Sequence, residues 1–226
     1  MKKIKKKLID LLTPKITRDN LNRLIAHHQT DERTLEVGSH GNPSYGQFFP
    51  NRVGIDIREG KGVDIVASVY DLPFADQEFD CVLCLSVLEH LERPPQAIKE
   101  MQRVLKVGKK IIVSVPFLFP IHEAPHDYWR FTKFGLQQLF TQDWQIEELR
   151  SQEGPQATFA ILIQRLALQT RLRFLDKTLR GLLFILAKLI NSLPRLIKIV
   201  FGDNRKDRVE PEAFASAFFL VARRVK

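Results

Sequence analysis

Two groups of residues in this chain have the types and spacing that chemistry needs. The first is a glycine turn followed by an acid: Glu36, Gly38, Ser39, His40 and Gly41 in L-E-V-G-S-H-G-N, then Asp56 and Ile57 closing V-G-I-D-I. Glycine lets backbone come close to a ligand. A carboxylate roughly 20 residues further on is the spacing by which dinucleotide-binding folds hold ribose hydroxyls. The second group is dense: His122, Glu123, His126, Asp127, Tyr128, Trp129 and Arg130. It offers an imidazole base between aromatic walls, and a guanidinium suited to a carboxylate or phosphate. The same residues equally suit a structured loop with Trp129 in the core and Arg130 in an ion pair. A metal on His122, His126 and Asp127 would need a rigid frame; no helical i, i+4 pair supplies one, so no metal is expected. Cys81 and Cys84 have no second pair to complete a zinc site and read as buried thiols in a reducing compartment.

These residues need a scaffold, and the composition permits one. A chain of 226 residues suits one domain with an appendage. With 44% hydrophobic and 27% charged residues it can build a core, which excludes disorder as a global description. A formal charge of +9 asks for an anionic partner: nucleic acid, anionic lipid or a phosphorylated substrate. That charge sits toward the ends, in Lys2, Lys3, Lys5, Lys6 and Lys7 and in the stretch from Arg165 to Arg208. The start is basic like a signal peptide, but Asp10 interrupts its apolar part, Pro14 follows, and no small-residue cleavage site appears. Residues 1–33 are expected to form a basic helical segment.

Apolar runs bounded by turns occur at 34–37, 52–57, 63–69, 79–86 and 111–115, as in strands buried on both faces of a parallel sheet. A further strand is expected at 146–149 and a last one at 214–222. Helical spacing of Ala97, Ile98, Met101, Val104 and Leu105 predicts a helix over 95–106, and Thr132 is placed to cap another over 132–140. The alternation implies an α/β doubly wound fold. Residues 34–154 form the expected core, 155–209 a helical insertion, and 210–226 the final core strand. In the insertion Lys177, Arg180, Lys188, Asn191, Arg195 and Lys198 form a basic polar stripe, with Leu182, Leu186, Leu189, Leu193 and Ile197 opposite. Pro194 should kink or split this helix. No run reaches the roughly 20 apolar residues of a membrane span.

Four motifs in this order resemble the class I S-adenosylmethionine-dependent methyltransferases, in particular the type 11 domain. They are L-E-V-G-S-H-G-N, V-G-I-D-I, V-A-S-V-Y-D-L-P-F-A-D-Q-E-F-D and L-S-V-L-E-H-L followed by E-M-Q-R-V-L-K-V-G-K. His40 stands where the family has its second glycine, Ser68 where it has an adenine-contacting aspartate, and Val107 and Lys109 depart at a later turn. The resemblance implies a mostly parallel Rossmann-like sheet with an antiparallel last strand. It implies S-adenosylmethionine as cofactor: Glu36 toward the methionine ammonium, the Gly38–Gly41 turn beneath it, and Asp56 with Ile57 at the ribose. Ser68, Val69, Tyr70 and Asp71 would lie at the adenine, and Leu85 and Ser86 beside the cofactor. Glu89 and His90 would face the active site or a helix surface. The loop after 111–115 resembles a subset linked to cell-envelope glycan gene sets.

The expected reaction is methyl transfer to a small-molecule, glycan or lipid-linked acceptor. His126 is the first candidate for base, with His122 or His90 behind it, and Tyr128 and Arg130 would position the acceptor. Three rival readings stand beside it. An NAD-linked dehydrogenase would need G-x-G-x-x-G, which the turn lacks. A nucleic-acid methyltransferase would suit the net charge, but no aromatic-interleaved basic patch marks the core, so no nucleic acid is favoured. A domain that has lost cofactor binding could serve as a membrane-surface adaptor. The chain is expected in the cytoplasm, with its insertion on an anionic inner membrane face or in a homodimer.

Overall fold

The apolar runs become strands because β-branched and aromatic side chains fill both faces of a sheet. The computed structural model describes residues 16–41, 43–169, 178–192 and 212–226. The expected basic helix within residues 1–15 lies outside these, and so do Lys177, Leu193, Pro194, Arg195, Ile197 and Lys198 of the insertion. The described chain divides into two compact units. One holds residues 25–117, 121–150 and 217–226; the other holds residues 118–120, the described part of 151–216, and the described residues up to Leu24.

The first unit is organised by a mixed sheet. Its strands are β1 (Thr34–Val37), β2 (Arg52–Asp56), β3 (Ile65–Val66), β4 (Phe79–Leu85), β5 (Leu105–Pro116), β6 (Trp144–Ser151) and β7 (Ala217–Arg224). Their order is β3-β2-β1-β4-β5-β7-β6. β1 runs parallel to β2 and to β4, and β4 parallel to β5. β7 returns antiparallel beside β5, from Lys110 opposite Arg223 to Pro116 opposite Ala217. The expected architecture, down to the antiparallel last strand entered from a helical insertion, is the one observed. The strand order reverses between β1 and β4, and the crevice outside the carboxyl ends of the strands at such a point is where open α/β sheets bind ligands.

The α-helices among the described residues are α1 (Ile16–Ala26), α2 (Pro94–Val104), α3 (Lys133–Gln137), α4 (Pro155–Gln169) and α5 (Thr178–Ser192). α2 starts on prolines, whose fixed φ suits a first turn, and buries Ala97, Ile98, Met101 and Val104. Each larger apolar side chain buried this way contributes about 1.5–3 kcal/mol. The helix stops two residues before its expected end. Leu105 is instead extended and paired with Phe79, and the Arg224 guanidinium donates to the exposed carbonyls of Gln102 and Leu105. α3 is capped as expected, with the Thr132 hydroxyl accepting from the Gly135 N–H at 3.0 Å. Cys81 and Cys84 are both buried and unbridged, and burial pushes the Cys81 thiol up to about 12.

In the second unit α4 and α5 pack on each other. Phe159 lies against Phe214, and the Arg165 guanidinium sits 4.5 Å from the centre of the Phe119 ring. Glu153 is buried and accepts from the Ser216 hydroxyl; burial, working against Ser216, Asn20 and Arg23, pushes its carboxyl up to about 7.

Candidate active site

Sheet register brings the first group of residues to one edge. Val37 lies opposite both Ile55 and Cys84, and Leu85 opposite Ser114. Gly38, Asp56 and Leu85 therefore end neighbouring strands in a single row, with strands spaced about 4.8 Å apart. Gly38 and Gly41 have φ of 74° and 69°, a region that favours glycine. The N–H groups of Gly38 and Ser39 both donate to the Ile55 carbonyl, and that of Gly41 donates to Lys61. A Cβ on Gly38 would fall 2.4 Å from Val87 Cγ2, whereas one on Gly41 would meet nothing within 4 Å. Between β1 and β2 the described residues make a short 3₁₀ turn, Pro43–Gln47.

Asp56 closes β2 with its carboxylate turned back to the turn. Oδ2 accepts from the His40 N–H at 3.4 Å and Oδ1 from the Arg58 N–H at 3.0 Å. An ionised carboxylate has about four acceptor positions, so both oxygens can still take a ribose hydroxyl. The His40 side chain fits where the family has glycine because residue 60 is glycine: a Cβ there would fall 2.4 Å from the imidazole. Ile57, next to Asp56, is 71% exposed.

Glu36 sits deeper than its expected role requires. It is buried, and its Oε2 lies 2.7 Å from Nη1 of Arg52. Burial outweighs Arg52 and pushes the carboxyl up to about 7. Arg52 also donates to the Gly62 carbonyl at 3.0 Å, and Asp64 accepts from the Gly54 N–H at 2.6 Å. Glu36 thus ties β1 to β2 beneath the glycine turn.

Ser68 and Asp71 form an isolated antiparallel bridge. The Ser68 hydroxyl accepts from the Tyr70 N–H, which still leaves it a lone pair and a hydrogen. The Tyr70 hydroxyl accepts from the Arg93 N–H, and the Arg93 guanidinium lies 4.9 Å above its ring. Val69 and Leu85 are buried. Ser86 has φ 58° and donates its N–H to the Ser114 carbonyl at 2.9 Å. A non-glycine residue in that region costs about 1–2 kcal/mol, and here the strain falls on the carboxyl edge of β4.

The second group folds back over Glu89. Its backbone carbonyl accepts from the N–H groups of Tyr128 and Trp129. The Glu89 side chain is fully buried and neither carboxylate oxygen has a hydrogen-bond partner. Two imidazoles face it: His122 Nε2 at 3.7 Å and His90 Nε2 at 3.8 Å from Oε1. The Glu89 carboxylate, and after it Asp127, hold the His122 imidazole above its ordinary range. Asp127 is gripped by Arg130 through two bonds of 2.7 and 2.6 Å and by the His122 N–H at 2.8 Å. The Arg130 hydrogen bonds pull the Asp127 carboxyl down to about 2. His126 stands apart, its Nδ1 2.9 Å from the Tyr128 hydroxyl.

The family profile described as "Methyltransferase domain" matches residues 50–113. An uncharacterized protein of Methanocaldococcus jannaschii is 36% identical over 121 residues, 48% of this chain and 58% of that protein. The ubiquinone/menaquinone biosynthesis C-methyltransferase of Haemophilus ducreyi is 35% identical over 72 residues, 32% of this chain and 27% of the relative. Over residues 50–113 this chain is similar to known methyltransferases. The solved structure of a Burkholderia thailandensis 1,6-didemethyltoxoflavin-N1-methyltransferase, with S-adenosylhomocysteine bound, covers 93% of this chain and 79% of its own at 12% identity and a TM-score of 0.54. At that identity the likeness is one of fold. The matches span little more than half the length of the first relative and less of the second.

The edge offers room for a ligand and acceptor capacity for a ribose. Gly41 leaves open space where a side chain would stand, and Asp56 presents acceptor capacity at the strand edge. Gly38, Ser39, His40, Gly41, Asp56, Leu85 and Ser86 come together along one edge, while Glu36 lies beneath it. Tyr70 and Arg130 are engaged elsewhere, with Arg93 and Asp127. Trp129 is not in the core: it is exposed and donates to the Leu91 carbonyl. Sequence reasoning singled out neither Arg52 nor Asp64, and left Glu89 between the active site and a helix surface. Arg52 could have been found as a charge opening an otherwise apolar strand, beside a strand that carries Glu36.

Proposed function

We propose that this domain methylates a small-molecule, glycan or lipid-linked acceptor, with a role in building the cell envelope. The observation that carries the reading is the register that sets Gly38, Asp56 and Leu85 in one row at the carboxyl ends of the strands, with the Tyr128 and Trp129 N–H groups bound to the Glu89 carbonyl just beyond β4. S-adenosylmethionine bound there supplies an electrophilic methyl group on a sulfonium. Asp56 takes the ribose hydroxyls, Ile57 offers the adenine an apolar surface, and Ser68, Val69 and Asp71 border it. Glu36 holds the turn through Arg52 and reaches the methionine ammonium through water. His126, whose Nδ1 is occupied by Tyr128, takes the acceptor proton at Nε2. Tyr128 lines the acceptor side, and Arg130 positions Asp127 and through it His122. Because a sulfonium is already a good leaving group, alignment and exclusion of water make up most of the task. Calorimetric titration with S-adenosylmethionine, with NAD as control, should show binding of the first alone. A search of envelope extracts for a product carrying labelled methyl should then identify the acceptor. His126→Ala should lower turnover with cofactor affinity unchanged; a variant that loses only stability would make the loop structural.

A second reading concerns α5, on which Leu182, Ile185, Leu186 and Leu189 are all exposed at helical spacing. Among the described residues no helix is long and apolar enough to cross a membrane. An exposed apolar stripe on a basic segment suits an anionic lipid surface, where each basic residue adds about 1 kcal/mol. Flotation with anionic liposomes should weaken with salt and fail for Leu186→Glu. Dimers that depend on this stripe, without lipid binding, would assign it to self-association.

A further inference from the structure

We infer that Glu89, His90 and His122 form a binding site for a divalent transition-metal ion at the carboxyl edge of the sheet. One potential ligand atom from each lies within 4.8 Å of the others. Glu89 Oε1 stands 3.8 Å from His90 Nε2 and 3.7 Å from His122 Nε2. These gaps are too long for hydrogen bonds. An ion about 2.1 Å from each of two tetrahedral ligands would separate them by about 3.4 Å. Closure by a few tenths of an ångström brings Glu89 to that distance from each imidazole, and the two imidazoles, within 4.8 Å of each other, approach further as the ion enters.

Glu89 itself points to an occupant. It is fully buried, and both its oxygens lack a hydrogen-bond partner. An ionised carboxylate left so is costly, and buried charges are normally paired or coordinate a metal. The imidazoles are set up to receive the same ion. His90 Nδ1 is 2.6 Å from the His126 carbonyl oxygen, which can only accept, so the proton lies on Nδ1 and the Nε2 lone pair faces Glu89. His122 Nδ1 lies 3.3 Å from Asp127 Oδ2, at ion-pair distance, and Arg130 pins Asp127 in turn. Outer-shell carbonyls and carboxylates orient metal-binding histidines in this way. Two imidazoles and one carboxylate suit zinc, manganese or iron rather than calcium or magnesium. Three protein ligands leave positions open, as in reactive rather than structural sites. The frame comes from folding, not from a helical repeat, which is why the sequence pattern showed none.

The full chain, stripped with a chelator and titrated calorimetrically with Zn²⁺ and with Mn²⁺, should bind one equivalent of at least one of them. Glu89→Gln and, independently, His122→Asn should weaken binding at least tenfold, and Asp127→Asn by about 10–100-fold. Circular dichroism reports which variants keep their fold. Co²⁺ absorption of the unmutated chain gives a ligand-field signature that needs no variant. A wild-type chain that neither binds these ions nor develops the Co²⁺ bands overturns the site, as does undiminished binding in folded Glu89→Gln. S-adenosylhomocysteine affinity, measured alongside, tests the methyltransferase reading separately.

Discussion

Asp56 is the residue on which cofactor affinity should turn. Its carboxylate already accepts two backbone N–H groups, so its orientation is set before any ligand arrives. Asp56→Ala should weaken S-adenosylhomocysteine binding by roughly 1–3 kcal/mol, the scale of lost hydrogen bonds to a charged group. Unchanged affinity by calorimetry would remove Asp56 from the ribose site. Glu36 sets a pH dependence. Its folded carboxyl is pushed up to about 7 from 4.5, so the folded state holds a proton that the unfolded state releases. That contribution to stability is complete below 4.5 and is lost as pH rises through about 7. Glu153 adds to the same trend. Glu36→Gln should therefore flatten, without abolishing, the fall in melting temperature across that window. A steeper fall in the variant would mean that Arg52, not burial, governs Glu36.

At the scale of elements, Gly54 decides how β2 meets its surroundings. A Cβ there would fall 2.3 Å from the Gly62 carbonyl oxygen and 2.7 Å from Ser39 Oγ. Backbone cannot yield as a flexible side chain can, so Gly54→Ala should cost about 1–3 kcal/mol in denaturant unfolding and loosen the glycine turn. A wild-type midpoint would show that the 57–64 segment moves freely. The strands were legible because their signal is local: 79–86 is almost wholly apolar, and β4 fills nearly all of it. β3 was legible as a short run within 63–69, broken by Asp64, and there Ile65 and Val66 pair with β2. The acceptor-side geometry was not legible. Glu89 looks like any acid in L-E-H-L, and only the fold shows it buried, with residues 128 and 129 hydrogen-bonded to its carbonyl. Arg130 illustrates the same limit: its type announces an anion partner, but only the fold shows that the partner is Asp127 and not a substrate.

At the scale of the whole molecule, β7 buries Phe218, Phe219, Leu220, Val221 and Ala222 within the sheet, between β5 and β6. Removing residues 217–226 should therefore leave the protein insoluble on expression. A soluble truncated form with native near-ultraviolet circular dichroism would contradict this placement. The α/β core was readable as a whole because its motifs follow strand order; the basic character of the insertion was readable, but not what it touches. The place of β7 also bears on synthesis. Its sequence leaves the ribosome after every other strand, yet it occupies the gap between β5 and β6. Until then β6 has no neighbour and β5 offers a long apolar edge to any passing chain. A ribosome that pauses while reading residues 155–216 holds a sheet in two pieces, so codon speed and chaperone supply over that stretch should govern yield more than they would for a protein whose sheet closes in the order it is made.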